Sequence, residues 1–149
     1  MDSVSRAKRS EIMSAVRSRG NRSTEWKIRA ILIQSGIRGW RLHCRHLPGR
    51  PDFTFFHEKL AVFVDGCFWH GCPQCGRIPH SNRDFWREKI MRNVVRDRRC
   101  RGQLRRAGWR ILRIWEHDLQ NPKWILRLRN SIRPKIRKTQ TGMGTSHPA

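Results

Sequence analysis

The stretch Asp65-Gly66-Cys67-Phe68-Trp69-His70-Gly71-Cys72-Pro73-Gln74-Cys75 brings several kinds of chemistry together. An acid closes an apolar run, and a histidine follows five residues later, so groups able to bind a cation and move a proton stand side by side. Cys67-x₄-Cys72-x₂-Cys75 supplies three thiolates at zinc-ligand spacing. A structural zinc takes four ligands, and His70, His80, His117, Cys44 and Cys100 are candidates for the fourth. His117 is attractive because it follows a strand expected to return to the same sheet. Two other arrangements compete: three reduced, buried cysteines, or a catalytic zinc with an open position. Cys44 and Cys100 are isolated and read as small buried residues.

A second acid lies upstream, in Leu47-Pro48-Gly49-Arg50-Pro51-Asp52. Pro and Gly fix this loop, so Asp52 enters the next strand at a defined point. That strand is Phe53–Phe56, the turn is His57-Glu58-Lys59, and the return strand is Leu60–Val64, which together make a β-hairpin. Asp52 opens the first strand and Asp65 closes the second, so the hairpin should set the two carboxylates at one end. Paired carboxylates in a basic protein can hold Mg²⁺ against a phosphate, which would make Mg²⁺ the hydrolytic metal. The competing arrangement pairs each acid with an arginine.

The remaining elements must position these groups. Residues 4–19 carry Ile12, Met13 and Val16 at helical spacing. A second helix, capped by Ser23 or Thr24, runs to Ser35 with Glu25 in its first turn, where a negative charge is favourable. Trp40–Cys44 alternates like a short strand. After a loop at 76–80, Ser81 and Asp84 suggest a capping box for a long basic helix, Asn82–Ala107. Its expected buried stripe is Phe85, Trp86, Ile90, Val94 and Leu104. Trp109–Trp115 alternates as a further strand, and Pro122–Ile132 is the last helix. Trp26, Trp40, Trp109, Trp115 and Trp124 are assigned to packing, whereas Phe68 and Trp69 are expected to be accessible. One domain over residues 1–135 and a disordered basic tail at 136–149 are expected.

The net charge of +22 points to a polyanionic partner, with nucleic acid foremost. There is no apolar run of transmembrane length and no signal-peptide core at Met1–Glu11, so a cytoplasmic, nucleoid-associated protein is expected.

Four segments, in this order and spacing, resemble the very-short-patch (Vsr) mismatch repair endonucleases. They are Leu47-Pro48-Gly49-Arg50-Pro51-Asp52-Phe53, Val64-Asp65-Gly66-Cys67-Phe68-Trp69-His70-Gly71-Cys72-Pro73, Phe85-Trp86-x₂-Lys89-x₃-Asn93-x₂-Arg96-Asp97, and Gly108-Trp109-x₅-Trp115-Glu116. The resemblance spans about Ser10 to Leu119. It implies an α/β (α+β) fold of the restriction-endonuclease-like, PD-(D/E)xK type, a central mixed sheet flanked by helices, with a structural zinc. It implies a Mg²⁺-dependent enzyme that nicks double-stranded DNA 5′ of the thymine in a T·G mismatch, the product of 5-methylcytosine deamination.

On matching positions, Asp52 is similar to the family's principal Mg²⁺ ligand, and Val64 would add its backbone carbonyl. Asp65 stands where some relatives have histidine and would restore a second carboxylate. His70 resembles the catalytic histidine, and Glu25 would support the site. Phe68, Trp69 and Trp86 resemble aromatics that wedge into DNA beside the mismatch. Lys89 and Asn93 match positions that read the mismatched pair, and Met13 one that approaches the other groove. Relatives commonly place a histidine in the first zinc cluster and a cysteine after Trp-Glu. Here the exchange gives Cys67, Cys72, Cys75 and His117. Mismatch-repair proteins are the implied partners and a monomer the expected state. Two other readings remain: a related restriction-type or mobile-element nuclease, and a zinc-bearing DNA-binding module without catalysis.

Overall fold

The computed structural model describes residues 22–133. The expected helix over residues 4–19, with Met13 on it, and the expected tail at 136–149 lie outside the described residues. The described elements are helix α1 (Arg22–Gln34), strands β1 (Trp40–Leu42), β2 (Phe53–Phe55) and β3 (Leu60–Asp65), helix α2 (Arg83–Arg106), strand β4 (Arg110–Trp115), a 3₁₀ turn (Glu116–Gln120) and helix α3 (Lys123–Ile132).

The four strands form one mixed sheet in the order β1-β2-β3-β4. β2 and β3 are the expected hairpin, in the register Phe53↔Val62 and Phe55↔Leu60. β4 lies parallel to β3, with Val64↔Ile114 and Asp65↔Trp115, and α2 is the crossover between them. A parallel pair needs such a crossover, and it brings both strand ends to the same edge. Everything that follows β3 and β4, residues 66–76 and 116–120, therefore starts from one place.

β3 has apolar side chains at Leu60 to Val64, because helices cover both faces of the sheet. Leu60, Val62, Leu112 and Ile114 meet Ile28 and Leu32 of α1 and Trp124 and Leu128 of α3. Ala61 and Phe63, on the opposite face, pack with Leu104 of α2. Asp65 continues this second series by the two-residue period and so faces α2.

Several expectations change. α1 already includes Ser23 and Thr24, so neither is its cap. α2 begins after Asn82, which has φ 52° and makes no side-chain cap, instead of the Ser81–Asp84 box. The buried face of α2 is Ile90, Asp97 and Leu104. Phe85, expected in the stripe, is exposed. β1 stops at Leu42 because His43 turns to φ 46°. Trp26 is 63% exposed, with the Arg29 guanidinium 4.9 Å over its ring, so its assignment to packing is corrected. Trp124 is buried, and Trp40 and Trp109 pack half-buried against the two cores. Among the described residues no helix is long and apolar enough to cross a membrane.

Candidate functional site

The loop before β2 delivers the first acid. Gly49 takes φ 76°, and a Cβ there would come within 3.0 Å of the Cys100 Cβ and 3.3 Å of the Phe63 ring. Glycine thus lets the loop lie against both neighbours. The Asp52 N–H donates to the Val62 carbonyl at 3.0 Å, and the Val64 N–H donates to Asp52 Oδ2 at 2.7 Å. The Asp52 carboxylate is therefore pinned at Val64, one residue before Asp65. On the other side, the His43 N–H donates to the Asp52 carbonyl at 3.3 Å, and His43 Nε2 lies 3.0 Å from Glu25 Oε2. Glu25 thus reaches the Asp52 segment through His43, which the sequence did not single out.

Asp65, at the end of β3, is 5% exposed. Its Oδ2 accepts a hydrogen bond from Arg113 Nε, and its Oδ1 lies 3.6 Å from His70 Nδ1. The arginine-paired arrangement holds for this acid. His70 is 2% exposed, and its Nδ1 lies 2.5 Å from Oδ2 of Asp97 on α2. Asp97 is 5% exposed. Burial works to raise the Asp97 carboxyl, but the hydrogen bond and charge of His70, with Arg96, outweigh it and hold the carboxyl below its ordinary value. With Asp97 accepting from Nδ1, the imidazole is fixed in orientation. Burial and the neighbouring Arg113 charge lower Arg101, against the opposing pull of Asp65 and Asp97.

Sequence reasoning missed Asp97 and Arg113 as site residues. Asp97 had one legible signal: it follows Asn93 by four and Ile90 by seven, so it shares their helix face. Arg113 stands between Ile111 and Trp115 on a strand face turned toward α2, a place where a charge needs a partner.

The loop after Asp65 carries the thiols. His70 N–H donates to the Gly66 carbonyl, Cys72 N–H to that of Cys67, and Gly76 N–H to that of Cys72. His117, in the turn after β4, sits with Nδ1 at 3.2 Å from Cys67 Sγ, 3.7 Å from Cys72 Sγ and 3.3 Å from Cys75 Sγ. Cys75 Sγ is 3.5 Å from Cys72 Sγ. Tetrahedral zinc places such ligand atoms about 3.5–3.8 Å apart, so the four can hold it. Burial opposes the Cys72 thiolate, yet hydrogen bonds to the backbone of Cys75 and Gln74 lower that thiol. Cys75 is pushed up to about 12, first by its hydrogen bond to Cys67. Three sulfurs and one imidazole nitrogen that converge within 4.8 Å of one another make a donor set that fits such a cation. His117 Nε2 is 3.4 Å from Asp118 Oδ1, the kind of carboxylate contact that orients a metal-binding imidazole.

Phe68, Trp69, Phe85 and Trp86 form one aromatic group. Ring centroids of Phe68 and Trp69 are 5.0 Å apart, Phe68 and Trp86 5.4 Å, and Phe85 and Trp86 5.2 Å. Lys89 Nζ sits within 5.7 Å of the Trp69, Trp86 and Phe85 centroids. Trp69 is buried and Phe68 half-buried, so the expected exposure holds for neither in full. Asn93 Nδ2 donates to the Trp69 carbonyl at 3.1 Å, which ties this group to α2. The phenylalanine that presents most surface is Phe85.

A family model described as DNA mismatch endonuclease Vsr matches residues 1–76. The chain is 43% identical over 116 residues to the type II nicking enzyme V.NaeI of Lentzea aerocolonigenes, covering 75% of this chain and 69% of that protein. It is 40% identical over 136 residues to the type II nicking enzyme V.XorIIP of Xanthomonas oryzae pv. oryzae, covering 89% of this chain and 98% of that protein. It is 38% identical over 117 residues to the DNA mismatch endonuclease Vsr of Escherichia coli K12, covering 77% of this chain and 73% of that protein.

Proposed function

Since the chain belongs to the Vsr family of DNA endonucleases, we propose that it nicks duplex DNA 5′ of the thymine in a T·G mismatch. The observation that carries this reading is the placement, around the end of β3, of two side chains suited to hydrolysis. One is a carboxylate pinned on Val64 and the other is an imidazole aligned by Asp97.

Asp52 and the Val64 carbonyl would hold Mg²⁺, with Glu25 supporting them through His43. A bound Mg²⁺ would supply charge stabilisation on the phosphoryl group. His70 moves the proton, through Nε2, while Asp97 keeps the ring aligned and stabilises the imidazolium. Cys67, Cys72, Cys75 and His117 would hold a zinc ion, which would brace the loop that carries His70. Phe68, Trp69 and Trp86 wedge into the duplex, where unstacking costs a few kcal/mol and least at a mismatched step. In this reading Phe68, Trp86 and the neighbouring Phe85 lead, and Trp69 backs them. Lys89 and Asn93 read the mismatched pair, and Met13 reaches it from the opposite groove. The enzyme works as a monomer and passes its product to mismatch-repair proteins.

The test is nicking of matched and T·G duplexes with Mg²⁺. Nicking of the T·G strand alone supports the reading, and equal cutting of both duplexes overturns the mismatch claim. A second reading has its own support, because similar proteins carry the name type II nicking enzyme. On that reading the chain cuts one strand at a matched recognition site, and efficient nicking of fully paired DNA would select it.

A further inference from the structure

Arg113 holds a position that the proposed chemistry does not use. It lies on the α2-facing side of β4, between Ile111 and Trp115. Its Nε donates to Asp65 Oδ2, its Nη2 lies 3.5 Å from the His70 carbonyl, and its guanidinium carbon is 3.9 Å from the Trp115 ring centroid. The Trp115 ring in turn stacks on His117, with an interplanar angle of 10°. One side chain therefore touches the acid at the end of β3, the backbone of the catalytic histidine and the aromatic beside the thiol cluster.

Asp65 is tied through Oδ2 to the Arg113 guanidinium, and its Oδ1 faces, at 3.6 Å, the His70 ring nitrogen that is already bonded to Asp97. A buried carboxylate is costly unless paired, and a cation that drew on Asp65 would compete with the Arg113 guanidinium for the same group. Asp52 meets a different partner, the Val64 N–H.

We propose that Arg113 is a positioning residue which, by holding Asp65 and the His70 backbone, sets the catalytic imidazole, and that Asp65 is its counter-ion and not a ligand of the hydrolytic cation. The cation then rests on one acidic side chain, Asp52. This rests on the reading of Asp52 as the cation ligand.

The experiment compares Asp65→Asn, Arg113→Gln, the double variant Asp65→Asn/Arg113→Gln and Asp52→Asn in the full-length protein. Mn²⁺ affinity, with Mn²⁺ as the probe, is read by titration. Single-turnover nicking with Mg²⁺ and duplex affinity are measured alongside. Arg113→Gln should slow nicking by about tenfold or more while duplex affinity stays within about threefold. The double variant should be no slower than Arg113→Gln alone, because the two residues act as one unit and the second change removes nothing further. Its Mn²⁺ affinity should stay within about threefold of wild type, whereas Asp52→Asn weakens Mn²⁺ by about tenfold or more. If Arg113→Gln does not fold, the double variant carries the comparison. Two results overturn the proposal: Mn²⁺ affinity in the double variant falling to the level of Asp52→Asn, or rate losses of the two single variants that simply multiply. A wild type that binds Mn²⁺ but never nicks overturns the catalytic reading alone, and the Mn²⁺ comparison still decides the role of Asp65.

Discussion

His70 draws its properties from residues far away in the chain. Its Nδ1 partner, Asp97, is 27 residues downstream, and Arg113, which reaches its carbonyl, is 43 residues downstream. Replacing Asp97 by Asn keeps the shape but removes the charge that aligns the ring. Nicking should fall by about 10²-fold or more, with duplex binding within about threefold, as read by single-turnover rates and a binding titration. The same acid predicts a pH effect. Its carboxyl is lowered in the folded state, so its stabilisation is complete above the ordinary carboxylate value and is lost as pH falls through the lowered one. Acid unfolding of the wild type should therefore have a component at the low end of the carboxylate range. Asp97→Asn should remove that component, as followed by circular dichroism against pH. At this scale Asp52, Asp65 and His70 were legible as reactive residue types. The arginine on Asp65 was one of two arrangements the sequence allowed, and its identity was not readable.

Two short loops, more than any helix or strand, fix the site geometry at the scale of elements. In residues 47–52 the backbone runs so near Cys100 and Phe63 that Gly49→Ala has no room and a strained φ. It should cost about 1–3 kcal/mol by chemical denaturation and misplace Asp52. In residues 66–76, a Cβ on Gly76 would come within 2.6–3.0 Å of three backbone atoms of Cys72 and Cys67. Gly76→Ala should therefore disturb the thiol cluster. Elemental analysis is expected to find about one zinc per wild-type chain and markedly less in this variant. Chelation of the metal should raise hydrogen exchange in residues 66–76 while the β2–β3 hairpin stays protected. The hairpin, the long helix and the last helix were legible from periodicity and turn residues. The capping of α1 and α2 was not. Asn82 caps α2 in a left-handed conformation, which side-chain capping signals do not encode, and a solvent-facing tryptophan on α1 obeys no rule of period.

Across the whole molecule the dominant fact is charge. A protein of net charge +22 that displaces counterions at 6–10 phosphates should lose about 10³–10⁵-fold in duplex affinity between 50 and 200 mM salt. Matched and mismatched duplexes should show similar slopes, because phosphate contacts carry no sequence information. A flat salt response would remove the polyanion argument. The fold answers the same demand for a placed site: helices cover both faces of the sheet, and the candidate site residues gather at its rim. Taken alone, the sequence determined the polyanion partner, the thiol spacing, the hairpin and the carboxylate pinned at its start. Each is written in composition or within a few neighbouring residues. Tertiary structure decided that Asp65 meets Arg113, that Asp97 reaches His70, and that His117 joins the three cysteines. Those pairings depend on the parallel register of β3 with β4 and on the packing of the crossover helix. No local pattern specifies either, because the contacts that set them lie dozens of residues apart.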